Sequence, residues 1–187
     1  MSGVPASEVA RSLYAVWRLL RWDAAAIRYF DGTRGAAIRS FWAAAIGAPL
    51  YAVIAAVSYG PPASGDPLRA TAVLAVGYVV TWTAFPLAML YVADVLGRSH
   101  QYFRFLAAYN WATVLQHLIV LAAAVAAALA PPSLGRAIVL GAVLFTLVYE
   151  WFIARVALQL GPLPAAGVVA VDIIISLFIN VITTRMS

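Results

Sequence analysis

The chain has 187 residues, of which 65% are hydrophobic and 10% charged. A soluble domain carries about 25% charged and about 45–50% apolar residues, so this composition excludes a soluble globular protein and points to one integral to a membrane. All 12 basic residues are arginine, set against seven acids for a formal net charge of +5. Six of those arginines precede residue 41, on the edge of the first apolar run, a distribution that suits an anionic membrane surface and excludes nucleic acid as the partner. An alanine-rich chain without lysine fits a GC-rich bacterial genome. The absence of cysteine excludes disulfides, zinc thiolates and iron–sulfur ligation.

Residues 1–40 hold no apolar core followed by a small-residue cleavage site, so no signal peptide is expected. They read instead as a cytoplasmic, arginine-rich amphipathic segment. Val9, Leu13, Val16, Trp17 and Leu20 recur at helical spacing, with Glu8, Arg11, Ser12 and Arg18 on the other side and Ser7 placed to cap the start. Arg11, Arg18, Arg21 and Trp17 are the residues expected at the lipid surface, where the partner is a bilayer of anionic headgroups. Trp22, Tyr29 and Phe30 continue the pattern to a turn at Asp31-Gly32.

Residues 41–187 form the transmembrane domain. A span needs about 20 apolar residues, and five are predicted, over about 41–59, 70–96, 105–130, 136–158 and 165–183. Pro61, Pro62, Gly65 and Pro67 make a breaker-rich loop after the first. Gly97–Arg104 is a short polar hairpin, Pro131-Pro132-Ser133 ends the third span, and Gly161-Pro162-Leu163-Pro164 turns the chain before the fifth. Pro49 and Pro86 fall inside spans and are expected to kink them. Pairs of small residues, Ala43 with Gly47 and Ala137 with Gly141, provide for close helix approach or for oligomerisation. The expected architecture is all-α, a polytopic helical bundle with an N-terminal interfacial helix. Counting arginines near helix ends gives nine on the N-terminal side against three on the other, which places the N-terminus in the cytoplasm and the C-terminus in the periplasm of a bacterial inner membrane.

Ionisable groups inside spans are costly and carry most of the functional information. Asp172 lies near the middle of the fifth span, with Ser176 and Asn180 at i+4 and i+8 on the same face. Asn110, Thr113 and His117, with Gln116 nearby, make a second stripe in the third span. Glu150 and Arg155 stand in the fourth span, and Asp94 ends the second. Two functions fit this cluster. Asp172, Glu150 and His117 are the groups a proton or cation path would use. Alternatively they are polar glue, with Arg155 paired to Glu150 or Asp94 and Asp172 hydrogen-bonded across helices.

Enzyme motifs are not met. Asp31-Gly32 resembles the start of the CDP-alcohol phosphotransferase motif, which Gly35-Ala36 and the apolar run beyond do not continue. Asp94 and Asp172 lack the Gly-x-Gly-Asp setting of intramembrane aspartyl proteases, and two histidines without cysteine make no metal site. No cofactor is expected. The strings Tyr109-Asn110-Trp111, Tyr149-Glu150-Trp151-Phe152-Ile153-Ala154-Arg155 and Asp172 to Asn180 resemble a group of small alphaproteobacterial membrane proteins, themselves similar to the Yip1-like five-span proteins. That resemblance implies a five-span architecture with a cytoplasmic N-terminus, and a scaffold, accessory or membrane-organising role acting through a membrane-protein partner or a second copy of the chain.

Overall fold

The computed structural model describes residues 5–59 and 67–186. Pro61, Pro62, Gly65 and the acid Asp66 lie outside the described residues. The described residues form seven α-helices in order: α1 Ala6–Leu20, α2 Arg34–Ser40, α3 Trp42–Tyr59, α4 Pro67–Val95, α5 Tyr102–Ala128, α6 Pro132–Ala157 and α7 Pro162–Met186. Short 3-10 turns cover Ala24–Tyr29 and Ser99–Gln101. Among the described residues, five stretches are long and apolar enough to cross a membrane: Arg34–Val57, Leu68–Val95, Ser99–Ala128, Pro132–Ala157 and Pro162–Met186. The first joins α2 and α3, which meet at Phe41 in a helical conformation.

The spans begin earlier than expected, and for the second, fourth and fifth proline is the reason. Pro67, Pro132 and Pro162 each open a helix, and Pro164 lies in the first turn of α7. First-turn amides have no intrahelical acceptor, so the missing proline N–H costs nothing there. Pro132 and Pro162 therefore start helices where the residue type alone suggested breakers. Pro49 and Pro86 do lie inside α3 and α4. Between α4 and α5 the chain turns at Gly97, whose φ of +66° an L side chain rarely adopts.

α5 is the hub. It packs against α6 and α3 along its length, and against α1, α2 and α4; α7 closes the bundle between α4 and α6. Phe85, Met89, Phe105, Trp111, Ile153 and Val168 fill its centre and are essentially inaccessible. The outward faces of the long helices remain apolar, with Val76, Leu87, Leu140, Ile174 and Phe178 each more than half exposed. Contiguous apolar surface of that kind is not tolerated in water by a monomer.

α1 caps one end of the bundle, lying on α5 and α6. Its buried side is Ser12, Ala15, Val16 and Leu19, the i, i+3, i+4, i+7 stripe. This corrects the expected face: Ser12 is inside, whereas Leu13 and Trp17 are 36% and 50% exposed. The expected Ser7 cap is absent too, because Pro5 precedes the helix and no side chain caps it. Tyr149 Oη of α6 donates to the Val16 carbonyl at 2.8 Å, and Arg104 Nε of α5 donates to the Phe30 carbonyl at 3.2 Å. Two residues after α1 the chain turns at Trp22, whose φ of +63° is rare for a bulky residue. Its indole packs edge-on against Phe152 with ring centroids 5.0 Å apart, so a contact with α6 holds the strained turn.

Candidate functional site

Glu150 and Asp172 come together. Glu150 is 3% exposed, and its carboxyl neighbours that of Asp172. Tyr109 Oη donates to Asp172 Oδ1 at 3.1 Å. The three side chains thus join α6, α7 and α5. Counted from the helix ends at the capped side, they lie about 10–15 Å into the bundle at 1.5 Å per residue. An ionised carboxylate accepts but cannot donate, so a hydrogen bond between two carboxyls requires a proton on one of them. Glu150 Oε1 has no partner among the described residues. Two neighbouring carboxyls can share one such proton between α6 and α7, and the Tyr109–Asp172 bond ties α5 to α7.

Asn110 serves a different contact. It is inaccessible to solvent, and its amide Nδ2 donates to Ser40 Oγ at 2.9 Å, which in turn donates to the Ala37 carbonyl at 2.7 Å. This relay ties α5 to α2. His117, eight residues further along α5, lies about 12 Å beyond Tyr109 and meets other neighbours. Its ring centroid is 6.1 Å from that of Tyr51, whose ring lies 4.8 Å from Tyr78. A Cβ placed on Gly47 would sit 3.1 Å from Tyr78 Oη and 3.2 Å from His117 Nδ1, so glycine lets α3 close on this aromatic group. Tyr78 Oη donates to the Ala44 carbonyl at 2.6 Å. Of the two small-residue pairs, Ala43–Gly47 is buried in this contact, while Gly141 meets nothing within 4 Å.

The remaining expected residues are dispersed. Asp94 is exposed and accepts from Ser99 Oγ at 2.9 Å, closing the turn after α4. Arg155 is exposed and lies over the Trp151 ring, 5.4 Å from its centroid; its expected ion pair with Glu150 or Asp94 is not formed among the described residues. The reason is local: Trp151, four residues back on α6, offers a π face at the surface, while Glu150 points inward to Asp172. Ser176 is half-buried and Asn180 is exposed, so the stripe below Asp172 does not continue into the bundle.

At the capped end the three acids before residue 41 all meet arginine: Arg39 with Glu8 at 3.0 Å, Arg11 with Asp31 at 3.5 Å, and Arg18 with Asp23. Arg18 Nε donates to Asp23 Oδ2 at 2.7 Å, and the Asp23 carboxylate also accepts from the Ala25 amide at 3.0 Å. The guanidinium hydrogen bond holds the Asp23 carboxyl below the usual aspartate range, and the same contact raises Arg18. Arg21, Arg28 and Arg34 are exposed. Tyr14, Trp17 and Arg21, at i, i+3 and i+7, form one exposed stripe on α1. Arg18 lies between Tyr14 and Tyr29, 5.8 and 5.6 Å from their ring centroids.

The sequence gives Ser40 no part in the site, and it brings in Tyr109 and Tyr149 only within the strings that carry the resemblance, with no role of their own. Tyr109 and Tyr149 each stand next to a polar residue it does single out, Asn110 and Glu150, and that adjacency is the one signal available. No group of three histidine, cysteine or acidic residues able to hold a metal occurs among the described residues. Comparison with protein-family models, curated proteins and solved structures found no match.

Proposed function

We propose that the chain is a non-enzymatic, five-span protein of the bacterial inner membrane, of Yip1-like type, acting as a scaffold, accessory or membrane-organising protein. In this reading its N-terminus is cytoplasmic and its C-terminus periplasmic. The observation that carries it is the α1 cap. One side of α1 is fixed to the bundle by Ala15, Val16 and Leu19, and the other presents Tyr14, Trp17 and Arg21 outward. With all three local acids engaged by arginines, Arg21, Arg28 and Arg34 supply a net positive surface. Aromatic and basic side chains on a rigid helix at a bundle end suit anionic headgroups, and the same face suits a partner docked at that surface. Inside the bundle, Tyr109–Asp172, Asn110–Ser40 and Gln116 Nε2 with the Thr146 carbonyl at 3.2 Å each connect two helices, which supports a cohesive role for the polar groups.

Affinity purification from mildly solubilised native membranes tests the proposal. A stoichiometric partner that is retained by the natural chain and lost from Trp17→Ala/Arg21→Glu is expected. A chain recovered alone, or a partner indifferent to those substitutions, would refute it. The Glu150–Asp172 contact favours a second reading, a small proton- or cation-coupled carrier or channel. His117 contributes little to that reading, since its neighbours are Tyr51, Tyr78 and Gly47.

A further inference from the structure

The end of the bundle opposite the α1 cap carries a groove of about 630 Å³ where α5 turns into α6. Val57 of α3, Ala124 and Ala128 of α5, and Val139 and Val143 of α6 form its apolar walls, and Arg136 stands on its lining. The run of alanines in α5 makes this helix thin, which opens the space. Gly135 closes its head, because α5 and α6 approach so nearly there that a Cβ would lie 2.8 Å from the Ala127 carbonyl oxygen. Arg136 is exposed and lies in the second turn of α6, at the depth where a span of Pro132–Ala157 meets headgroups. From Arg136 to Val143 the wall runs seven residues, about 10 Å at 1.5 Å per residue. One leaflet of a bilayer's hydrocarbon core is about 15 Å thick.

We propose that this groove is a binding site for one anionic phospholipid, with an acyl chain along Val139 and Val143 and the phosphate on the Arg136 guanidinium. Charge complementarity selects the occupant: the walls offer an acyl chain nothing but hydrocarbon contacts, and the one charged group on the lining is a guanidinium suited to phosphate. The groove between α4 and α7, of about 640 Å³, has walls that are apolar apart from Thr183 and carry no charged side chain, and gives no such preference. The site lies at the other end of the bundle from the arginines of α1 and is independent of their proposed role.

The test is native mass spectrometry of the purified full chain titrated with phosphatidylglycerol and, separately, phosphatidylcholine of the same acyl composition. The natural chain is expected to take up one phosphatidylglycerol in preference to phosphatidylcholine. Arg136→Gln should weaken that preference about fivefold, the effect of one basic residue near an anionic headgroup, and Arg136→Lys should keep most of it. Ala128→Phe, which fills the groove from an exposed position, should reduce uptake of both lipids at this site. Arg185→Gln, at the same end but off the groove, should change nothing. Equal losses from Arg136→Gln and Arg185→Gln, or uptake indifferent to Ala128→Phe and Arg136→Gln, would overturn the proposal.

Discussion

Two glycines of α6 give opposite answers to the same substitution. At Gly135 an added Cβ would stand 2.8 Å from the Ala127 carbonyl oxygen and 3.4 Å from the Ala127 Cα and Cβ. These are backbone or near-backbone atoms of α5, so the two helices must part at their shared turn. Overfilling of this kind costs about 1–3 kcal/mol. At Gly141 the added Cβ meets nothing within 4 Å, so only helix propensity changes, and alanine gains up to about 1 kcal/mol there. The same propensity gain applies at Gly135, so the difference between Gly135→Ala and Gly141→Ala isolates the steric cost, about 1–3 kcal/mol. Each kcal/mol moves the midpoint by about 2–4 °C in a chain of this size. Thermal unfolding in detergent, followed by tryptophan fluorescence, should therefore place Gly135→Ala at least about 2 °C below Gly141→Ala. Equal midpoints, or Gly141→Ala as the less stable of the two, would refute the close α5–α6 approach.

Three further outcomes follow from the contacts. Glu150→Gln keeps a donor and an acceptor for Asp172 and should leave stability nearly unchanged, whereas Glu150→Leu should lose about 0.6 kcal/mol, the average for an interhelical hydrogen bond between spans; denaturant titration in lipid discs separates them. Tyr149→Phe keeps the buried ring but removes the tether to the Val16 carbonyl, costing about 1 kcal/mol; faster tryptic cleavage after Arg21 reports the loosened cap. The Arg18–Asp23 contact depends on an ionised Asp23 whose pKa is depressed by the guanidinium. Its contribution is present above the ordinary aspartate pKa of about 3.9 and is lost as pH falls through the lower folded value. Exchange of the Asp23 and Ala25 amides should stay slow at pH 5 relative to the intrinsic rate and lose that protection in stronger acid, and Asp23→Asn should abolish the dependence.

The five long helices are legible because each is an apolar run of adequate length between polar or proline-rich breaks. Their starts are less so, because proline is compatible with both a loop and a first helical turn, and Pro67, Pro132 and Pro162 take the second option. The orientation of α1 eludes the sequence for a related reason. Leu13 and Trp17 are as apolar as Val16 and Leu19, and hydropathy does not distinguish a face turned to protein from one turned outward. Individual intramembrane acids stand out in the chain, but their partners do not. Asp172 meets Tyr109, which is 63 residues away, and nothing local announces it. His117 shares a stripe with Asn110 only when α5 is considered alone; the flanking helices send Asn110 to Ser40 and His117 to Tyr51 and Tyr78. Arg155 follows local geometry instead, stacking on Trp151 one turn back.

The claim that the Glu150–Asp172 contact holds helices together, and does not conduct, is tested most directly by reconstitution. Proteoliposomes containing the natural chain, given a pH gradient with and without sodium or potassium, should hold it as long as protein-free vesicles do, and Asp172→Asn should behave identically. Dissipation of the gradient by the natural chain, abolished in a folded Asp172→Asn variant, would contradict the account and establish the carrier.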